Sequence, residues 1–191
     1  MIQKFSKSLV DVLIKYNAVD SSLMEVYVYG YEVMISGIFD LLITIIIGVI
    51  AGKLTNAMLF FFVFVTVRIF TGGYHANSYI KCKIVYVSIL ICVITLSDFQ
   101  FDIFTLIFIA LFFVVIVFLT APAENENKSL SNDEKRKYSV ISRIISLCWS
   151  AFALLFFSYN STLTVTIIST ELFIGLLLAY GKVKEVKQDE R

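Results

Sequence analysis

One histidine and one cysteine carry the clearest chemical potential in this sequence. His75 and Cys82 lie seven positions apart in a short polar stretch between two apolar segments, and His75 is the single histidine of the chain. The other two cysteines, Cys92 and Cys148, lie inside apolar runs. A thiolate attacks carbonyl carbons far more readily than a thiol, and a neighbouring imidazole makes the thiolate available. The pair therefore indicates peptide cleavage with Cys82 as the nucleophile and His75 as the general base.

Three cations lie close to this pair in sequence: Arg68, Lys81 and Lys83. Positive charge near Cys82 would favour its thiolate form. Two adjacent glycines, Gly72 and Gly73, allow the chain to leave the preceding apolar segment in a conformation that other residues resist, and they allow a substrate backbone to approach closely. Residues 68–83 are therefore predicted to form a catalytic loop.

The spacing of the two residues sets a geometric condition. In a straight helix their side chains would share a face but lie about 10 Å apart along the axis. A nucleophile and its base must come within hydrogen-bond distance, so we expect a bend near residues 76–78, or closure when substrate binds. The alternative is noncatalytic, with His75 as an interfacial polar residue and Cys82 as a small apolar filler. A bound metal is not expected, because one His and one Cys are fewer than the three or four ligands of zinc sites.

The composition indicates a polytopic membrane protein. Of 191 residues, 59% are hydrophobic and 16% are charged, whereas soluble domains are about 25% charged. A chain of this size cannot bury so much apolar surface, so we expect one all-α domain, residues 1–191, whose spans satisfy their own backbone hydrogen bonds. Six apolar segments within residues 31–180 are predicted to be transmembrane helices: 33–52, 56–70, 84–98, 102–121, 143–159 and 162–180.

The segments outside these spans are predicted to be interfacial or cytoplasmic. Residues 1–30 are expected at the membrane surface, beginning with an amphipathic helix over residues 2–17 that lies in the headgroup plane. Residues 121–142 are predicted to be a polar loop, either a solvated connector or a docking surface for a charged partner. Residues 181–191 are predicted to be a tail.

The distribution of positive charge predicts the orientation. If the N-terminus is cytoplasmic, fifteen of the sixteen Lys and Arg residues fall on the cytoplasmic side and only Lys53 lies outside. The external turn near residues 97–102 carries two acids and no base. The positive-inside rule therefore predicts six spans with both termini in the cytoplasm, and it places the loop that contains His75 and Cys82 on the cytoplasmic face.

Two carboxylates are predicted to lie inside the spans. Asp40 in the first span and Glu171 in the sixth are costly in lipid, which makes each a candidate for a functional role. Either could pair with Arg68 or orient His75. Alternatively, each forms a hydrogen bond with Ser, Thr or Tyr on a neighbouring helix.

Two motifs in the sequence resemble those of a known family. They are Arg68-x4-Gly-Gly-Tyr-His-Ala followed by Cys82 and, two spans later, Ala121-Pro122-Ala-Glu-x-x-Asn-Lys128. Together they resemble the accessory gene regulator protein B (AgrB) family of Gram-positive quorum sensing, and the resemblance covers nearly the whole chain. The second motif departs from the family pattern at Ser129, where a proline is expected.

The resemblance implies a membrane-embedded cysteine endopeptidase that removes the C-terminal tail of a propeptide of the AgrD type. In that role Cys82 would be the nucleophile and His75 the general base, while Arg68 and Gly73 match positions that matter for activity in the family. Attack by Cys82 would release the tail and leave a thioester. The propeptide's own cysteine would then displace Cys82 and close a thiolactone ring, giving the autoinducing peptide.

The resemblance also implies the setting of this activity. It places the protein in the cell membrane of a Gram-positive bacterium, within a virulence-related signalling system, as a homodimer without a cofactor and without nucleic acid. Two other functions stay open from the residues: a small peptide transporter with Asp40 and Glu171 along its pathway, and a noncatalytic membrane protein that docks a partner.

Overall fold

The computed structural model describes residues 2–16, 18–72, 79–123 and 131–189. The helices of these residues are, in order, α1 (Ile2–Lys15), a short 3-10 helix (Ser21–Leu23), α2 (Met24–Ile50), α3 (Leu54–Thr71), α4 (Tyr79–Leu96), α5 (Ile103–Thr120), α6 (Asn132–Leu155) and α7 (Ser161–Asp189). The all-α prediction is confirmed for this part of the chain.

Several of these helices are long and apolar enough to cross a membrane, which is consistent with a multi-pass membrane protein. Within the described residues there are five: Ser21–Ile50, Leu54–Thr71, Ile103–Thr120, Asn132–Leu155 and Ser161–Val183. Each overlaps a predicted apolar segment. Helix α4, with 18 residues, overlaps the remaining predicted segment at 84–98. The count of six spans and the orientation in the bilayer stay predictions.

The chain divides into two compact units, Met1–Ile43 and Thr44–Arg191. In the first unit, α1 has apolar residues at helical spacing, and the side chains of Phe5 and Val12 are exposed. An exposed apolar stripe on a short amphipathic helix is typical of helices that lie in the membrane interface. Helix α2 begins in the first unit and continues into the second.

The second unit is arranged around α7. This helix is the most buried of the candidate spans, and it contacts α3, α4, α5 and α6. One hydrophobic cluster joins α3, α5, α6 and α7, with Phe113 and Ile168 fully buried within it. A second cluster packs α3 against α4 and includes Phe60 and Tyr86, whose ring centroids are 5.4 Å apart.

Polar side chains inside this unit link different helices. Hydrogen bonds of this kind join Thr44 to Tyr86 at 2.6 Å, Asn56 to Thr166 at 2.7 Å, Thr66 to Trp149 at 2.9 Å and Ser150 to Glu171 at 2.8 Å. Lipid tails are as apolar as leucine, so helices in a bilayer associate through close packing and such hydrogen bonds rather than through the hydrophobic effect. The hydrogen bonds between the helices of this unit, together with its outward-facing apolar residues, follow that rule.

One end of the second unit is defined by the residues that follow α3 and α5. The backbone N–H of Ala123 donates a hydrogen bond of 3.0 Å to the carbonyl of Thr71, and Gly72 and Ala123 form an isolated parallel bridge. At the same end, Arg143 on α6 donates a hydrogen bond of 3.2 Å to the carbonyl of Phe118. The residues leaving α3 and α5 are therefore adjacent.

The opposite end is defined by the turns between α2 and α3 and between α4 and α5. Lys53 forms an ion pair with Asp98 and donates a hydrogen bond of 2.9 Å to the carbonyl of Ile94. Asp102 caps α5. Hydrogen bonds from the side chain and then the backbone of Thr105 hold the pKa of the Asp102 carboxyl below its usual value.

The polar region before α6 is shorter than the predicted loop 121–142, because α6 begins at Asn132. Ser131 and Glu134 form a capping box that starts the helix. The Ser131 hydroxyl accepts from the Glu134 N–H at 3.3 Å, and the Glu134 carboxylate accepts from the Ser131 N–H at 2.9 Å. These reciprocal bonds satisfy two backbone donors that a helix start would otherwise leave open. Residues 124–130 of the predicted loop lie outside the described ranges.

Candidate active site

Cys82 lies in the first turn of α4, on the face of the helix that packs inward. It shares this face with Tyr86, Ile89 and Val93, which follow at helical spacing and are buried. Cys82 itself is only partly buried. The thiol therefore lies where the packed face of α4 meets the surface, at the end of the helix that begins near the residues leaving α3.

Arg68 is a cation on the neighbouring helix whose charge acts on this thiol. It lies in the last turn of α3. Phe64, one turn before it, packs against Tyr86, one turn after Cys82, with ring centroids 5.3 Å apart, so the charge of the guanidinium acts on the Cys82 thiol. The Nη1 atom of Arg68 also donates a hydrogen bond to the carbonyl of Gly72. A guanidinium is permanently charged and stabilises a neighbouring thiolate. Two predicted site residues that are separated in sequence and lie on different helices are thereby placed near one another.

Gly72 occupies a position that requires glycine for two reasons. Its backbone has φ 66° and ψ −139°, in the positive-φ region that side chains rarely adopt. A Cβ atom at this position would also overlap the carbonyl oxygen of Ala123. The sequence indicated that the two glycines shape the chain here, and the structure identifies the backbone of Ala123 as what Gly72 must accommodate.

The two lysines that flank Cys82 in sequence lie on other sides of α4. Neighbouring helical residues point about 100° apart. Lys81 is exposed, and Lys83 lines an open groove on the outer face of the helix with Ile80 and Val87. Arg68, by contrast, belongs to α3, the helix against which the packed side of α4 lies.

Other parts of the predicted loop are not covered by the structure. His75 and Gly73, together with the bend expected near residues 76–78, lie outside the described residues. The pairing of His75 with Cys82 therefore stays a prediction from their spacing. Helix α4 begins at Tyr79, so Cys82 is held in regular helix and any approach of the two side chains depends on the residues before it.

The two carboxylates differ in their surroundings. Glu171 is fully buried in α7, and its two carboxylate oxygens lie 2.9 and 2.8 Å from the hydroxyl of Ser150 on α6. This is the hydrogen bond to a neighbouring helix that the sequence left open as an alternative. Asp40 lies on α2 in the first unit and is partly buried.

Ala123 and Ser150 contact the predicted site residues Gly72 and Glu171, and neither was predicted from the sequence. Ala123 acts through its backbone, which carries no residue-specific signal. Ser150 lies on α6 four residues after Ser146 and eight after Ser142, and all three are buried. A row of small polar residues along an apolar helix is a signal for close interhelical packing, and that signal was available in the sequence.

The helices and this site define a class of protein before any comparison is made: a multi-pass helical membrane protein with a thiol and a guanidinium at one end of its bundle. The family model for Accessory gene regulator B matches residues 6–178. The chain belongs to the AgrB family, which associates it with the processing of peptides in agr quorum sensing.

Individual relatives support this assignment. An AgrB-like protein of Clostridium perfringens strain SM101 is 27% identical over 145 residues, which cover 72% of this chain and 68% of the relative. AgrB-like protein 1 of Clostridium perfringens strain 13 is 27% identical over 185 residues, which cover 96% of this chain and 98% of the relative. No solved structure matches the chain.

Proposed function

We propose that this protein is a membrane cysteine endopeptidase that cleaves the C-terminal tail from an AgrD-type propeptide and promotes its cyclisation to a thiolactone. The observation that carries the proposal is the placement of Arg68 in the last turn of α3 and of Cys82 in the first turn of α4, where the charge of the guanidinium acts on the thiol. A partly exposed thiol beside a permanent cation is the environment of a reactive cysteine rather than of an inert filler. Family membership supplies the substrate class.

The chemistry needs one base and one nucleophile. His75 takes the proton of Cys82, and Sγ attacks the carbonyl carbon of the peptide bond before the tail. The tetrahedral intermediate collapses by breaking the C–N bond, and the departing amine of the tail takes the proton from His75. The propeptide remains attached to Cys82 as a thioester.

The second half of the reaction regenerates the free thiol of Cys82. The thiolate of the propeptide's own cysteine attacks the thioester carbonyl, the bond to Cys82 breaks, and a thiolactone ring forms. One thioester replaces another, so the step is nearly balanced in energy, and the competing reaction is attack by water, which would give a linear peptide. Restricting water at the site therefore favours the cyclic product. The packed face of α4 beneath Cys82, with Tyr86 buried one turn away, restricts water on one side of the thiol.

We also propose that this site faces the cytoplasm. The described basic residues Arg68, Lys81 and Arg143 belong to the end of the second unit where Gly72 and Ala123 pair, whereas Lys53 lies at the opposite end. The positive-inside rule favours the first end as cytoplasmic. A propeptide made in the cytoplasm would then reach the thiol directly.

The test is release of the tail from a co-expressed propeptide, followed by mass spectrometry. Cys82→Ala and His75→Ala are expected to bring tail release below detection, because each removes a group that takes part in bond cleavage. The chain offers matched controls, since Cys92→Ala and Cys148→Ala remove thiols from exposed positions within α4 and α6. These variants should cleave at the unmodified rate. Normal tail release by Cys82→Ala would refute the enzyme proposal and favour a transporter or a docking protein.

A further inference from the structure

We propose that the backbone of Ala123 is a positioning element of the thiol site, which acts on Cys82 through Gly72 and Arg68. The inference rests on the proposed function and adds to it a role for the segment that follows α5. Ala123 is bridged to Gly72, whose carbonyl is hydrogen-bonded to Arg68. The charge of Arg68 in turn acts on Cys82, because the ends of α3 and α4 that hold these two residues pack side by side.

The first contact satisfies a backbone group at the end of α3. Thr71 is the last residue of the helix, so its carbonyl has no partner further along the helix. The N–H of Ala123 supplies that partner at 3.0 Å. Thr71 is fully buried and Ala123 is 5% exposed, so water cannot easily replace this hydrogen bond. The segment after α5 is thereby held against the end of α3.

The second contact depends on Gly72. The carbonyl oxygen of Ala123 occupies the space where a side chain at position 72 would begin. With glycine there, the two backbones approach closely and the peptide plane after Gly72 takes one orientation, at ψ −139°. The approach of Ala123 therefore determines where the carbonyl of Gly72 points.

The third contact places the charge. The carbonyl of Gly72 accepts a hydrogen bond from Nη1 of Arg68. An unrestrained arginine samples many rotamers, and each bond to its planar head reduces that freedom. A guanidinium held near a partly buried thiol stabilises the thiolate more strongly than one that moves into water, because the local dielectric is lower. Loss of the Ala123–Gly72 contact would release the guanidinium and weaken this effect on Cys82.

The chain provides a matched pair of glycines for the test. Gly52 and Gly72 both have φ 66°, so Gly→Ala places a side chain in the positive-φ region at each. A Cβ at Gly52 meets nothing within 4 Å, whereas one at Gly72 overlaps Ala123. A second pair addresses the partner segment: Ala123→Pro removes the N–H donor to Thr71, and Ala123→Gly keeps it.

The measurement is the rate at which iodoacetamide alkylates Cys82 in isolated membranes, as a function of pH. The background is Cys92→Ala/Cys148→Ala, which leaves one thiol, and rates are counted per correctly inserted protein. Gly72→Ala and Ala123→Pro are expected to react about tenfold more slowly near neutral pH and to recover at alkaline pH, because only the thiolate reacts. Gly52→Ala and Ala123→Gly should retain the parent profile. If Gly72→Ala does not accumulate, the Ala123 pair decides the same question.

Two outcomes would overturn the inference. An unchanged pH profile in Gly72→Ala and Ala123→Pro would show that Ala123 does not act on the thiol. A rate altered by the same factor at every pH would show a change in access alone, as a merely structural role predicts. Neither outcome touches the proposed peptidase activity, which fails separately if Cys82→Ala still releases the tail.

Discussion

At the scale of single residues, Glu171 shows what a membrane interior demands of a polar side chain. It is fully buried, and the hydroxyl of Ser150 lies within hydrogen-bond distance of both of its carboxylate oxygens. A buried polar group costs free energy unless it is hydrogen-bonded. Since a serine hydroxyl carries a single hydrogen, this one residue on α6 has a large share in stabilising the carboxyl group of α7.

This pairing leads to a prediction for Ser150→Ala. Removing the hydroxyl should lower the free energy of unfolding by about 1–3 kcal/mol, the typical cost of leaving a buried polar group without its partner. Ser88→Ala is the matched control, because Ser88 is exposed on the outer face of α4, and a change there should stay within about 0.5 kcal/mol. Thermal unfolding in detergent micelles measures both. Equal transition temperatures for the two variants would contradict a stabilising role of the Ser150–Glu171 hydrogen bond.

The sequence allowed the chemistry of individual residues to be predicted, but not the partners that these residues contact. Arg68, Gly72 and Cys82 were predicted as site residues from their types and spacing, because charge, backbone freedom and thiol chemistry are properties of the residues themselves. Their contacts were not predictable in the same way. The partner of Gly72 is a backbone carbonyl about fifty positions away, and only the packing of α3 beside the end of α5 makes the two adjacent.

At the scale of helices and turns, Lys53 explains an apparent exception in the charge distribution. It is the one Lys or Arg residue predicted to lie on the external side of the membrane, where the positive-inside rule disfavours positive charge. In the structure its ammonium group is paired with Asp98 and also hydrogen-bonded to the carbonyl of Ile94 and, at 3.4 Å, to Ser97. The lysine therefore joins the turn after α2 to the turn after α4, and its charge is balanced locally.

Unequal effects are expected when the two members of this ion pair are changed. Lys53→Met keeps the aliphatic stem but removes every hydrogen bond, so it should destabilise the protein by about 1 kcal/mol. Asp98→Asn removes only a pair whose acid is 64% exposed, and exposed pairs contribute about 0.2–1 kcal/mol. Thermal unfolding of both single variants and the double variant gives the coupling. If Asp98→Asn lowered the stability more than Lys53→Met, the hydrogen bonds from Lys53 to α4 would not be the main contribution of this lysine to stability.

Helix boundaries were predicted less well than the helices themselves. All six apolar segments correspond to helices, because long apolar runs have few alternatives to a helix in a membrane. The start of α6 was missed, although Ser131-x-x-Glu134 is a capping-box pattern visible in the sequence. The polar residues that follow it do not continue an apolar run, and hydropathy alone therefore places the boundary too late.

At the scale of the whole molecule, the two ends of the second unit have different electrical character. The end where α3 and α5 finish carries Arg68, and Arg143 is hydrogen-bonded to the carbonyl of Phe118 there. The opposite end holds the Lys53–Asp98 pair. The helices run alternately from one end of the unit to the other, so the two ends face opposite sides of the bilayer. The orientation of the bundle therefore decides which side of the membrane the basic end faces.

The orientation can be tested with a pair of exposed neutral residues at the two ends. Gln100 lies in the turn between α4 and α5, and Asn132 lies at the start of α6. In a background with Cys82, Cys92 and Cys148 changed to Ala, a membrane-impermeant maleimide applied to intact cells should label Gln100→Cys and not Asn132→Cys. Permeabilised cells are the control, in which both should react. Labelling of Asn132→Cys alone in intact cells would place the Cys82 end outside, where a propeptide made in the cytoplasm could not reach it directly.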